Sequence, residues 1–259
     1  MKDSVTHEND SKALAGFGVP RDQEEEGPVR TGLTAGGIVR GILRIGFALA
    51  ALWIAAVILL GLAYMVLPPI SSLMLGRIVT GQPVERTFVS LDAISPLLPA
   101  AVIASEDARF CQHAGVDWHA LREVVEDAGE DGPSRGASTI PMQVAKNLFL
   151  WPSRSYIRKG LELPIALWLD LAWSKRRMME VYLNVAEWGE GIFGAEAAAQ
   201  AYFRKSARDL TRREAALLAK ALPSPLRRNP ARPSPGYRRL ADRIMGRLDA
   251  SGPLVACLR

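Results

Sequence analysis

Apolar side chains along this chain form one unbroken block, followed by shorter stretches that recur with helical spacing. The block runs from Ile45 to Leu67, IGFALAALWIAAVILLGLAYMVL, without a single charge. As a helix it extends about 35 Å at 1.5 Å per residue, enough to cross the hydrocarbon of a bilayer. A buried core helix seldom stays apolar on every face over that length. A cleaved signal peptide fits poorly, because the block begins only after a long polar stretch. A membrane anchor is therefore expected over 38–67, with its core at 45–67. Arg30, Arg40 and Arg44 flank it on the N-terminal side, whereas Arg77, Glu85, Arg86 and Asp92 beyond it nearly cancel. The positive-inside rule then places the N-terminus in the cytoplasm and residues 68–259 outside it. Residues 1–37, with an EEE run at 24–26 and no sustained apolar period, read as a disordered cytoplasmic tail.

Past the Pro68-Pro69 break, residues 70–95 read as a connector with turn residues Gly76, Gly81 and Pro83 and a VERTFVSL stretch compatible with a strand. Helices dominate thereafter. Ser95-Pro96 is a start signal ahead of AAVIASEDARF, with Ser as cap and Pro at the first helical position. Ser155 opens YIRKGLELPIALWLDLAW, in which Pro164 predicts a kink. Ser174 opens KRRMMEVYLNV, and Thr211 with Glu214 has the capping-box form before AALLAKAL. Neither an internal repeat nor a run of alternating strands is present, so the expected class is mainly α with at most a small β element.

The length of 259 residues suits one domain plus an appendage. With 49% apolar and 23% charged residues, wholesale disorder and a polytopic membrane protein are both excluded. The formal charge is +5, but residues 1–44 hold six Lys/Arg against seven Asp/Glu, so the basic excess lies downstream. It favours an anionic partner, and the placement outside the cytoplasm removes nucleic acid. His7, His113 and His119 show no HExxH spacing and Cys111 and Cys257 alone make no tetrahedral zinc site, so zinc catalysis is not expected. For the two cysteines, one bridge and two unrelated buried thiols both stay open.

Glu106 and Asp107 follow the apolar AVIAS run at a helix C-terminus, where desolvation and the negative end of the dipole both raise a carboxyl pKa and make a credible base. A solvated acidic pair partnered by Arg109 fits the same residues. In GASTIPMQVAKNLFL, Gln143, Lys146 and Asn147 share one helix face at i, i+3 and i+4. A helix N-terminus with an adjacent Lys suits an anion, and an amphipathic surface helix has the same pattern. Arg154, Arg158, Lys159 and Glu162 follow; Glu162 is placed for surface ion pairs with Arg158 and Lys159.

Taken together, AVIASEDARFCQHAGVDW, GASTIPMQVAKNLFL, RSYIRKGLE, SKRRMMEVYLNVAEWGEGIFGAEAAAQAYFRK and LTRREAALLAKALPSPLRRNP resemble, in order and spacing, the five motifs of glycosyltransferase family 51. The resemblance covers about residues 90–240, and the single anchor is similar to the monofunctional members. It implies a lysozyme-like peptidoglycan glycosyltransferase domain behind one transmembrane helix, facing the periplasm from the bacterial inner membrane. The implied substrate is lipid II, added to a growing glycan strand with inversion and release of undecaprenyl pyrophosphate. Membrane lipid and other cell-wall synthesis or division proteins are the further implied partners.

By the same resemblance Glu106 is the base, and Glu162 is a second carboxylate near the leaving phosphates and a divalent cation, Mg²⁺ or Mn²⁺. Lys146, Arg154 and Lys159 are the basic residues around the pyrophosphate. Ser138, Thr139, Gln143 and Asn147 are substrate contacts, while Asp107, Phe110, His113 and Gly115 shape the first motif. Met142 stands where the family commonly has the first of two Gln, so one polar contact is not expected here. No S-x-x-K occurs, so transpeptidase activity is not expected. The charged, Gly-rich VVEDAGEDGPSRG reads as a mobile loop, and the arginines at 227, 228, 232, 238, 239, 243 and 247 suit anionic lipid headgroups or a solvated face. The rival readings are a lysozyme-like glycan-cleaving enzyme and a non-catalytic membrane-anchored scaffold.

Overall fold

The computed structural model describes residues 35–127, 138–152, 155–249 and 252–259. The expected tail falls almost wholly outside the described residues, as do Arg154 and most of the VVEDAGEDGPSRG stretch. The chain divides into compact units at Met1–Leu49 and Ala50–Arg259. In the first, the described residues are the opening half of helix α1 (Ala35–Ala63), with Leu43, Ile45 and Phe47 exposed. The stretch Gly36–Ala63 is long and apolar enough to cross a membrane. The helix stops at Ala63, four residues before the apolar block ends, and Tyr64–Leu67 turn toward the proline pair.

The second unit is mainly α. Its α1 residues are fastened to the domain: Trp173 Nε1 donates to Gly61 O at 2.7 Å, and Arg177 donates to Tyr64 O and Leu67 O. Gly61 lies so close to Trp168 that a Cβ would sit 2.8 Å from the indole nitrogen. The connector contains a helix that its sequence pattern did not announce, α2 (Ser72–Val79). Ser71 caps it, Met74 is buried, and the Ser72 hydroxyl donates to Asn147 O and Leu150 O. Of VERTFVSL only Glu85–Arg86 is strand (β1); it pairs in parallel with β3 (Ile192–Phe193), which is antiparallel to β2 (Glu187–Gly189). The sheet order β1-β3-β2 is the small β element anticipated.

Helix α3 (Leu97–Glu106) is the buried centre, its Leu98 and Ala101–Ala104 almost without solvent contact. It begins one residue later than expected: Pro96 is the cap, and the Ser95 hydroxyl donates instead to Leu210 O. Helix α4 (Trp118–Glu126) follows, then α5 (Ile140–Phe149), α6 (Tyr156–Ala172), α7 (Lys175–Val185) and α8 (Ala195–Phe203). Helices α9 (Arg212–Ala221) and α10 (Pro235–Leu248) close the core over α3. Alanines on α3 and α9 let these two axes approach closely. The predicted caps Ser155 and Ser174 accept from the backbone N–H three residues on, and Thr211 with Glu214 completes a capping box. Helix α6 continues through Pro164. Cys111 and Cys257 form a disulfide with 5.5 Å between their Cα atoms, tying the terminal 3-10 segment Pro253–Leu258 to the loop after α3.

Candidate active site

The buried helix α3 delivers Glu106 at its last position, and the chain then leaves through Asp107. Asp107 is turned inward: its carboxylate meets His113 Nε2 at 2.9 Å and accepts from Ile140 N at 2.9 Å. An acid at the start of α5 complements that helix's dipole and satisfies an otherwise orphaned N–H. Thr139 caps the same helix and donates from its hydroxyl to Gly115 O at 2.6 Å. Gly115 has φ +74°, and a Cβ there would stand 2.8 Å from Ala166 O, so the loop, α5 and α6 are locked together through a residue without a side chain. Arg109 pairs with Asp117, not with the acidic pair.

Glu106 itself remains partly exposed and accepts from the Ser105 hydroxyl at 2.8 Å. Burial pushes its carboxyl pKa up; Ser105, Lys220, Gln143 and Arg228 oppose that shift without cancelling it. Gln143 is oriented by Tyr182, whose hydroxyl donates to Gln143 Oε1 at 3.0 Å. With Oε1 so engaged, the amide's N–H₂ is the part left to serve Glu106.

Helix α5 presents Gln143, Lys146 and Asn147 to a cleft of about 270 Å³, which Tyr182, Trp151 and Pro223 also line. Burial lowers the Lys146 pKa; Glu162 and Glu106 both act to raise it, while Arg158 and Lys159 act to lower it. Lys146 thus stands in the field of both acids. Glu162 is 2% exposed, far more buried than a surface ion pair, with Arg158 on Oε1 and Lys159 Nζ 2.7 Å from Oε2. Lys159 Nζ also donates to Ser138 Oγ at 2.8 Å, joining the second and third motifs.

Of the residues singled out in the sequence, Glu106, Gln143, Lys146, Lys159, Glu162 and Ser138 are brought into one connected set. Asn147 lines its cleft, and the Thr139 hydroxyl is taken up in capping. Met142, only 2% exposed, packs into the core. Tyr182 and Lys220 carried no signal of their own, since their partners lie on other helices. For the expected Mg²⁺ or Mn²⁺ the donor set is a poor match. Both Glu162 oxygens face cations, and among the described residues no three His, Cys, Asp or Glu side chains converge.

The helical domain that follows the apolar helix thus carries a carboxylate of raised pKa close to Gln143 and Lys146 of the cleft, the equipment of an acid–base enzyme acting next to a positive charge. Residues 72–249 match the family model described as Transglycosylase, and the chain belongs to that family. It is 54% identical over 191 residues to the biosynthetic peptidoglycan transglycosylase of Brucella suis biovar 1 (strain 1330), covering 74% of this chain and 85% of that one. The protein of the same name from Rhizobium meliloti (strain 1021) is 51% identical, with 85% and 90% covered. That from Rhodopseudomonas palustris (strain HaA2) is 48% identical, with 85% and 98% covered.

Proposed function

We propose that this chain is a peptidoglycan glycosyltransferase that polymerises lipid II at the outer face of the bacterial inner membrane. The observation that carries the reading is the position of Lys146, in the cleft and in the field of both Glu106 and Glu162. The Glu106 carboxylate takes the proton of the acceptor's 4-hydroxyl as that oxygen bonds to the donor's anomeric carbon. The bond from that carbon to the diphosphate breaks, and its electron pair leaves on undecaprenyl diphosphate. Attack opposite the leaving group inverts the carbon.

Lys146 and Lys159 supply positive charge where negative charge grows on the leaving oxygens, with Arg154 assigned to the same task. Glu162 holds Arg158 and Lys159 in place and keeps their positive charges from repelling one another. Ser138, Gln143 and Asn147 complete the substrate contacts. Because Glu162 is already neutralised, a divalent cation would have to enter with the substrate's phosphates, and no step above depends on it.

The positive-inside rule, applied to the basic residues before the apolar helix, supports a cytoplasmic start and a domain outside. Incubating the full chain with purified lipid II tests the reading. Growth of glycan strands supports it; shortening of preformed strands would identify a cleaving enzyme, and no change in either a scaffold.

A further inference from the structure

The connector after α1 carries two arginines, Arg77 and Arg86, and a third, Arg177 on α7, is fastened to the end of that helix. Two of the three are neutralised: Arg77 meets Glu187 at 3.0 Å, and Arg177 pairs with Glu180. Arg86, on the two-residue strand β1, is not. Its Nε and Nη2 are buried, and neither finds an acceptor among the described residues. Glu85, next to it in the strand, is exposed and points to the opposite face. The titratable neighbour that acts on Arg86 is Tyr64, a phenol and not a carboxylate. Burial pulls the guanidinium pKa below its ordinary value, yet an arginine does not give up its proton in a protein, so the charge stays and is uncompensated. Native chains avoid a buried charge with unmatched donors unless a ligand completes it.

The position of Arg86 indicates which anion suits it. Its guanidinium lies over the Phe88 ring, 5.4 Å from the centroid, and that of Arg177 lies over the same ring at 5.7 Å. Arg177 in turn donates to Tyr64 O at 3.0 Å and to Leu67 O at 2.6 Å, carbonyls of the last turn of the apolar block. Arg86 is therefore held where that block gives out, in the company of Tyr64 and Phe88, the kind of residues that gather at a membrane–water interface. Apolar surface continues past the block: Leu67 and Ile70 are exposed, as are Leu75, Ile78 and Val79 at i, i+3 and i+4 on α2.

At that level of a bilayer the abundant anion is the phosphate of a lipid headgroup. Its oxygens match the guanidinium fork, and its acyl chains run along apolar surface of the kind exposed here. We propose that Arg86 binds the phosphate of one membrane phospholipid, which fixes the domain to the bilayer at a second point beside the anchor. The site rests on α1 spanning a bilayer; it is independent of the glycosyl transfer and of the Lys146 cleft.

The test uses the full chain in a maltoside detergent, which carries no phosphate, with phosphatidylglycerol added and binding read by native mass spectrometry. The wild type is expected to retain one phosphatidylglycerol. Arg86→Gln should hold it about tenfold less tightly, and Arg86→Lys, which keeps the charge but loses the fork, should fall between them. A neutral glycosyl diacylglycerol should bind the wild type and Arg86→Gln alike, because it has no phosphate. Since Gln removes an uncompensated charge, Arg86→Gln should melt no lower than the wild type in lipid-free detergent, while the rise in Tm that phosphatidylglycerol gives the wild type should vanish. Equal phosphatidylglycerol binding by wild type and Arg86→Gln overturns the proposal, as does an equal loss of the neutral lipid in the variant. Displacement of the lipid by inorganic phosphate at equal concentration would also overturn it, in favour of a free-anion site. If the wild type stays in solution without detergent, the membrane reading of α1 falls; if it needs detergent, only the headgroup site is at stake.

Discussion

The Tyr182 hydroxyl donates to Gln143 Oε1 across 3.0 Å, and this one bond decides which end of the amide is left to face Glu106. Tyr182 is 1% exposed and comes from α7, while Gln143 comes from α5 and Glu106 from α3, so three helices meet at the base. Tyr182→Phe keeps the ring and removes only the donor. The Gln143 oxygen loses its partner at a cost of about 1 kcal/mol, because Gln143 is partly open to water. Turnover should fall about tenfold, short of the roughly 10²- to 10⁴-fold that a proton-transfer group itself contributes, because the base stays and only its neighbour is loosened. Hydrogen bonding from Gln143 lowers the Glu106 pKa, so its loss should move the acid limb of the pH–rate profile upward. An unmoved limb would separate Tyr182 from the base.

Glu106→Gln divides catalysis from stability. Loss of the base should reduce polymerisation by about 10²- to 10⁴-fold. Because burial raises the Glu106 pKa, the folded state holds that proton more tightly than the unfolded chain does. The resulting stabilisation is fully present below the ordinary carboxyl value and is lost as pH rises through the raised one. At neutral pH ionised Glu106 is thus a burden on the fold, and the variant's Tm should equal or exceed that of the wild type. A fall in Tm accompanying the lost activity would mean that the carboxylate is structural.

Local signals made part of this arrangement readable. The AVIAS run followed by an acid announces a buried helix ending on a carboxylate, and Thr211 with Glu214 announces the start of α9. Helix α2 escaped notice because its support is remote. It is eight residues long with Gly76 inside, and Ser72 reaches carbonyls on and beyond α5, 75 and 78 positions away. Tyr182 escaped for the same reason, since only the fold sets it against Gln143. Glu162 was legible as an ion-pair residue, but its spacing gave no hint of burial.

That burial makes Glu162→Gln costly. Arg158, with a side chain 12% exposed, keeps its charge while losing the Glu162 carboxylate it faces, whereas Lys159, 42% exposed, is partly solvated. Breaking a buried pair costs about 3–5 kcal/mol, so with Lys159 half in water about 2 kcal/mol is expected here. Urea unfolding at neutral pH measures it. A change below 0.5 kcal/mol, the ordinary range for surface substitutions, would mean the group is no more than a surface pair.

The same two cations bear on metal binding. Carboxylate oxygens already facing Arg158 and Lys159 are poor ligands for a hard cation, which competes for the same lone pairs. Titrating the substrate-free chain with Mn²⁺, followed by its electron paramagnetic resonance signal, should reveal no saturable micromolar site. Such a site that disappears in Glu162→Gln would restore a protein-held metal to the mechanism.

The disulfide connects topology to stability. Cys111 and Cys257 lie 146 positions apart, and the loop they close encloses α4 to α10. Restricting so long a loop in the unfolded chain is worth about 2–5 kcal/mol, so the double variant Cys111→Ser/Cys257→Ser should unfold at a clearly lower temperature. The bond forms only where the surroundings are oxidising. These are the chain's two cysteines. A thiol titration of unfolded, unreduced protein taken from membranes should therefore find no free thiol if the domain lies outside the cytoplasm. Two free thiols per chain would contradict both the bridge and the orientation inferred from Arg40 and Arg44, because a domain left in the reducing cytoplasm keeps its cysteines apart.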